Sequence, residues 1–271
     1  MPELLNTIFS YEFLTRALGV GLLISLCSAL LGVSLVLKRF AMIGDGLGHV
    51  GFGSLAVATA LNWAPLALSM PVTVVAAFFL LRISANRQIR GDAAIALLSA
   101  SSLAIGVFVI SATTGMNTDV DSYLFGSILT LTSADVVLAV GLCVLVLGLF
   151  VVFYNRIFAM TFDERFAQAT GVPTGLYNSL LAALVALTIV VGMRMMGALL
   201  ISSLIIFPAL SAMRHGRSFK TVTWQAALIS TACFLVGLLA SVHFATPTGA
   251  SVVLINLLVF LALSISARRR F

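Results

Sequence analysis

A run of about 20 apolar residues is long enough to cross the hydrocarbon core of a bilayer, and this chain carries such runs almost end to end. Nine stand out: Phe13–Leu37, Ile43–Asn62, Pro65–Leu81, Ala93–Thr113, Ala134–Tyr154, Leu176–Met193, Met196–Met213, Val222–Phe244 and Thr248–Ala267. A count of eight is the alternative, and it turns on the connection at Met193–Met196. Between the fourth and fifth runs lies Ser122–Thr132, too short to span and expected as a re-entrant or interfacial helix. Of the 271 residues, 61% are hydrophobic and only 9% charged, where a soluble domain carries roughly 25% charged residues. Too little polar surface is present to coat a water-facing sphere. The expected fold is an all-α polytopic membrane protein, a single domain over residues 1–271 without linkers, low-complexity tracts or repeats. Soluble enzymes, nucleic-acid binders and disulfide scaffolds are excluded.

The basic residues orient the chain. Lys and Arg gather in cytoplasmic loops. If the first span runs inward, every one of the 15 basic residues except Arg16 and Arg194 falls on the inner side. Glu3, Glu12, Asp119, Asp121 and Asp135 then lie outside. The N-terminus is expected outside and the C-terminus inside, which requires an odd number of spans. The formal charge of +6 thus points to membrane orientation and to no nucleic-acid partner. Met1–Glu12 has no basic residue and the run after it is long, so no signal peptide is expected. Cys27, Cys143 and Cys233 sit singly in apolar runs and read as small packing residues.

No phosphate-binding loop, His-Glu-x-x-His pair, twin intramembrane aspartates or arginine-rich voltage-sensor pattern occurs, so the chain reads as a conduit or scaffold and not an enzyme. One segment carries chemistry. Met42–Ala56 reads MIGDGLGHVGFGSLA, with Asp45 and His49 one helical turn apart on one face and Gly44, Gly46, Gly48, Gly51 and Gly53 around them. Ionisable groups at membrane depth are costly and usually face a bundle interior or a wet path. Small residues let neighbouring backbones approach, and Gly44/Gly48 is a GxxxG pair. Imidazole plus carboxylate suits zinc, iron or manganese, whereas calcium and magnesium prefer oxygen alone. One Asp and one His complete no site, but doubling them across a two-fold axis would supply four ligands. Two other readings stay open: the pair hydrogen-bonds neighbouring helices, or Asp45 caps a helix at the inner membrane edge.

Five blocks in order resemble the membrane permease of the ABC importers for zinc, manganese and iron, across almost the whole chain. They are LVLKRFAMIGDGLGHVGFGSLA (Leu35–Ala56), DVDSYLFGSIL (Asp119–Leu129), FDERFAQATGVP (Phe162–Pro173), MGALLISSLIIFPALSA (Met196–Ala212) and TPTGASVVL (Thr246–Leu254). The resemblance implies that Asp45 and His49 bind the transported ion, with no permanently bound cofactor. It implies a second copy of the chain, two cytoplasmic ATP-binding subunits and an extracytoplasmic metal-binding protein as partners. ATP hydrolysis would belong to the separate subunit, docked on a coupling loop over about residues 155–175. Gly48 departs from the family, which often has Ser or Ala before the His.

The remaining residues have physical readings of their own. Thr161-Phe162-Asp163-Glu164 is expected to start a short cytoplasmic helix, with Arg165 following and Gly171 then Pro173 ending it. Such a helix, set off from the bilayer, is a lever for a partner that moves on binding ATP; an ordinary solvated loop helix is the other reading. Pro208 removes a hydrogen bond from the seventh span and frees the Leu204 carbonyl, making a candidate gate or a structural kink. Ser202 and Ser203 are placed to cover freed backbone groups. His243 is a candidate accessory entry ligand or a plain interfacial residue. His215 reads as a solvated loop residue. Asp119 and Asp121 read as solvated acids or as an outer lure for cations. A metal bound to Asp45 and His49 requires them deprotonated, so acid is expected to weaken uptake. The rival function is a gradient-driven secondary metal transporter or channel; a small-molecule importer of the same fold fits the ligand pair less well.

Overall fold

The computed structural model describes residues 12–84, 91–113 and 133–268, and all regular structure among them is helical. The elements are α1 (Glu12–Leu37), α2 (Ile43–Ala60), α3 (Pro65–Ser84), α4 (Gly91–Thr113), α5 (Ser133–Val152), α6 (Tyr154–Phe162), α7 (Glu164–Ala169), α8 (Thr174–Met196), α9 (Ala198–Met213), α10 (Phe219–Phe244) and α11 (Thr248–Arg268). Each expected apolar run is a helix, displaced by a few residues at most. Among the described residues seven helices, α1, α3, α4, α5, α8, α10 and α11, are long and apolar enough to cross a membrane. The other two runs form helices of lesser reach. α9 has only 16 residues, and α2 has 18, broken in polarity by Asp45, His49 and its glycines. Ser122–Thr132, with Asp119 and Asp121, lies outside the described residues.

Three breaks position the functional elements. α1 ends because Arg39 adopts φ 64°, letting the Phe40 N–H donate to the Leu35 carbonyl at 2.8 Å; this is the left-handed helix terminus more often taken by glycine. The chain then turns directly into α2. The uncertain connection near Arg194 is a single residue, Gly197, at φ 87°. Its freedom from a Cβ lets α8 end and α9 begin with nothing between them. Arg194 remains inside α8 and pairs with Asp135 of the first turn of α5 at 3.3 Å. The expected fifth span also stops short, at Val152, and a separate helix α6 takes over at Tyr154.

α1 and α8 are the most buried long helices. α1 packs on α5, α8, α9 and α10, while α2 is enclosed by α3, α4, α8 and α9. Glycines set how closely α2 is held. A Cβ at Gly53 would stand 2.5 Å from the Ser102 carbonyl oxygen of α4, and one at Gly44 would stand 3.1 Å from Cδ1 of Ile205 on α9. Gly32 of α1 meets the Ile205 backbone directly, so Ile205 is gripped from two sides. The cysteines are buried packing residues as expected. Dispersion and close small-residue contact hold such a bundle, because lipid supplies no hydrophobic drive between helices.

Candidate functional site

The N-terminal half of α2 presents Asp45 and His49 on one side. Asp45 is not the N-cap of α2: Met42 holds that position, and Asp45 lies in the first turn. Reading the pair as bonded to neighbouring helices fails for His49 as well. Its Nδ1 is buried without a hydrogen-bond partner, and its Nε2 lies 3.7 Å from Asp45 Oδ2, beyond hydrogen-bond range. The Asp45 side chain is 47% exposed and that of His49 20%, whereas most of α2 is buried. At bond lengths of about 2.0–2.2 Å, two tetrahedral donors stand roughly 3.4 Å apart, so one cation fits between these atoms with a small adjustment. Among the described residues no group of three or more His, Cys, Asp or Glu comes together. Among the described residues a single copy therefore brings two candidate donors together.

His243 is not a third. It is exposed in the last turn of α10, its ring against Phe244 at 4.8 Å, on a helix that packs mainly on α1, α9 and α11. His215 differs from the expected solvated residue: it is half-buried, and its Nδ1 is enclosed without a hydrogen-bond partner. Pro208 is buried in α9, less than one turn beyond Ile205. The nearby serines do not cover the carbonyl it frees. Ser202 Oγ donates to the Ala198 carbonyl at 3.1 Å, and Ser203 Oγ donates to that of Leu200 at 2.8 Å.

The expected cytoplasmic helix is present as α7 and starts at Asp163, whose Oδ1 accepts from the Phe166 N–H at 2.9 Å. Its end follows the expected signals. Gly171 sits at φ 84°, the Val172 N–H donates to the Ala167 carbonyl at 3.0 Å, and Pro173 precedes α8. Arg165 is exposed; Glu164 reaches inward to Lys38 at 3.3 Å and accepts from Asn178 Nδ2 at 2.6 Å. Sequence reasoning missed α6, whose Ile157 and Met160 are buried while Phe158 and Phe162 stack on Phe219 of α10. Its apolar face at helical spacing was the available signal, hidden by its continuity with α5.

Residues 10–267 match the family model for the ABC 3 transport family. The chain belongs to that family. It is 30% identical over 96% of its length, and 99% of the relative's, to the high-affinity zinc uptake system membrane protein ZnuB of Haemophilus influenzae. It is 28% identical over 96% of its length, and 94% of the relative's, to the manganese import system permease protein ScaB of Streptococcus gordonii. Among solved structures it resembles PsaBC from Streptococcus pneumoniae in complex with Fab, with TM-score 0.86 and 27% identity, covering 97% of this chain and 94% of that one. This chain is thus a multi-pass permease of an ABC transport family, in the plasma membrane of a prokaryote.

Proposed function

We propose that this permease forms the path of an ATP-driven importer for a divalent transition metal, zinc before manganese or iron. The carrying observation is the geometry of Asp45 and His49: His49 Nε2 and Asp45 Oδ2 face each other 3.7 Å apart, and no third ligand joins them among the described residues. Two copies related by a two-fold axis would bring two carboxylates and two imidazoles to one ion. The relatives' names, one zinc and one manganese, agree with a donor set that admits both. An ATP-driven route takes precedence over a gradient-driven one because the family is an ABC transport family.

In the cycle, an extracytoplasmic metal-binding protein delivers the ion to Asp45 and His49 of both copies. Separate cytoplasmic ATP-binding subunits dock at residues 155–175, where Asp163 and Gly171 shape α7, Arg165 faces the partner side and Glu164 ties the segment inward to Lys38. Their closure on ATP moves α7 and switches access inward. In this reading α2 and α9, enclosed by longer neighbours, complete nine spans, and the basic residues put the N-terminus outside and the C-terminus inside. Short or polar helices are tolerated at membrane depth when protein surrounds them. Pro208, beside the double grip on Ile205, is placed to let α9 bend.

The test is uptake of radioactive zinc by vesicles carrying the complete transporter. Asp45→Ala or His49→Ala is expected to abolish accumulation while insertion into the membrane persists. Undiminished uptake by both variants would remove the site.

A further inference from the structure

Nearly all of the basic residues at the inner membrane edge serve orientation, but Lys38 is folded inward. Its side chain is only 10% exposed. It lies one residue past the end of α1, and its ammonium donates to Glu164 of α7 at 3.3 Å and to Oδ1 of Asn178 in α8. Asn178 in turn donates to the other Glu164 oxygen at 2.6 Å. Three side chains from three elements thus close a ring. Next to it, a cavity of ≈ 260 Å³ separates the turn between α1 and α2 from α8, lined by Leu35, Phe40, Ile43, Leu81, Leu181 and Val185. The turn itself hinges on Arg39 at φ 64°, a conformation held at a cost by its surroundings.

We propose that Lys38 is a positioning residue that ties α7 to the α1–α2 turn, and so carries the displacement of the coupling segment to Asp45. The proposal rests on the importer reading above. The tie is polar and directional, with Lys38 enclosed and Glu164 half-exposed, so it transmits a pull as well as a push. The cavity supplies the room that a close-packed interior lacks, and Ile43, two residues before Asp45, borders it. Asn178 stands in the second turn of α8, joined to α7 through the short Gly171–Pro173 connection. The movement then reaches α2 without unpacking its glycine contacts to α4.

The experiment uses the complete transporter with its ATP-binding subunits and metal-binding protein in vesicles, and reads zinc ions imported per ATP hydrolysed. Lys38→Met removes the ammonium but keeps the stem that lines the cavity. Its expected result is retained ATP-binding subunits, retained hydrolysis, and a fall of at least about fivefold in ions per ATP, the range of an ordinary coupling between sites. The exchange Lys38→Glu with Glu164→Lys should restore most of that ratio, because Asn178 can turn its amide to serve the reversed polarity. An unchanged ratio in Lys38→Met overturns the tie. So does loss of the ATP-binding subunits from that variant, which would make Lys38 part of their docking surface. Wild-type vesicles that import none of zinc, manganese and iron would instead overturn the importer reading, before any variant is compared.

Discussion

A carboxylate and an imidazole one turn apart are hard to replace, because each supplies charge and geometry that its neighbours lack. Asp45→Asn keeps the shape but loses the charge, and His49→Gln loses the ring nitrogen. Each is expected to cut zinc uptake at least about tenfold, because a substitution present in both copies alters two of the four donors of the tetrahedral shell, as read by isotope accumulation in vesicles. The glycines around the pair are not equivalent. A Cβ at Gly48 would meet only the Ala198 Cβ, at 3.7 Å, whereas one at Gly53 would press on the Ser102 carbonyl at 2.5 Å. Gly48→Ala should therefore leave stability within about 0.5 kcal/mol of wild type. Gly53→Ala should cost about 1–3 kcal/mol by overpacking, seen as earlier thermal unfolding in detergent. The departure of Gly48 from a family that often has Ser or Ala there thus fits the space around it. The Asp45/His49 pair stood out in the sequence because ionisable side chains in apolar runs are rare. The partners of each glycine were not, since they belong to other helices.

At the scale of elements, the long helices were legible because the bilayer imposes one length and one polarity on whatever crosses it. α7 was legible for a different reason: Asp163 and Gly171 are local punctuation, each acting through its own backbone. Asp163→Ala removes the acceptor for the Phe166 N–H and should weaken the start of α7 by about 1 kcal/mol. Faster amide hydrogen exchange at Phe166, with no change in the long helices, is the expected reading. Gly171→Ala places a Cβ at φ 84° with open space around it, so its cost is conformational and similar, about 1 kcal/mol. What stayed hidden is long-range. Lys38 and Glu164 stand 126 positions apart, and Arg194 and Asp135 stand 59 apart. No periodicity reports such pairs. α6 escaped because its apolar face runs on from α5, and only the break at Phe153 divides them.

At the scale of the whole molecule the decisive fact is incompleteness. One copy brings two donors together, while a tetrahedral ion is held by four, and the remaining acids and histidines of the described residues form no cluster of three. If the ion sits between two copies, inactivating either copy inactivates the pair. This separates a shared path from two independent ones by arithmetic alone. Vesicles made with equal amounts of wild-type chain and the double variant Asp45→Ala, His49→Ala contain random dimers, only about a quarter of them wild type in both halves for a two-fold pair. A shared site predicts zinc uptake near that quarter, falling as the square of the wild-type fraction when the mixture is varied. Two separate paths predict about a half, falling linearly, by the same two-fold count. The curvature of uptake against mixing ratio, normalised to total permease in the membrane, reads the difference, and a straight line would mean that each copy completes its own site with residues outside this pair.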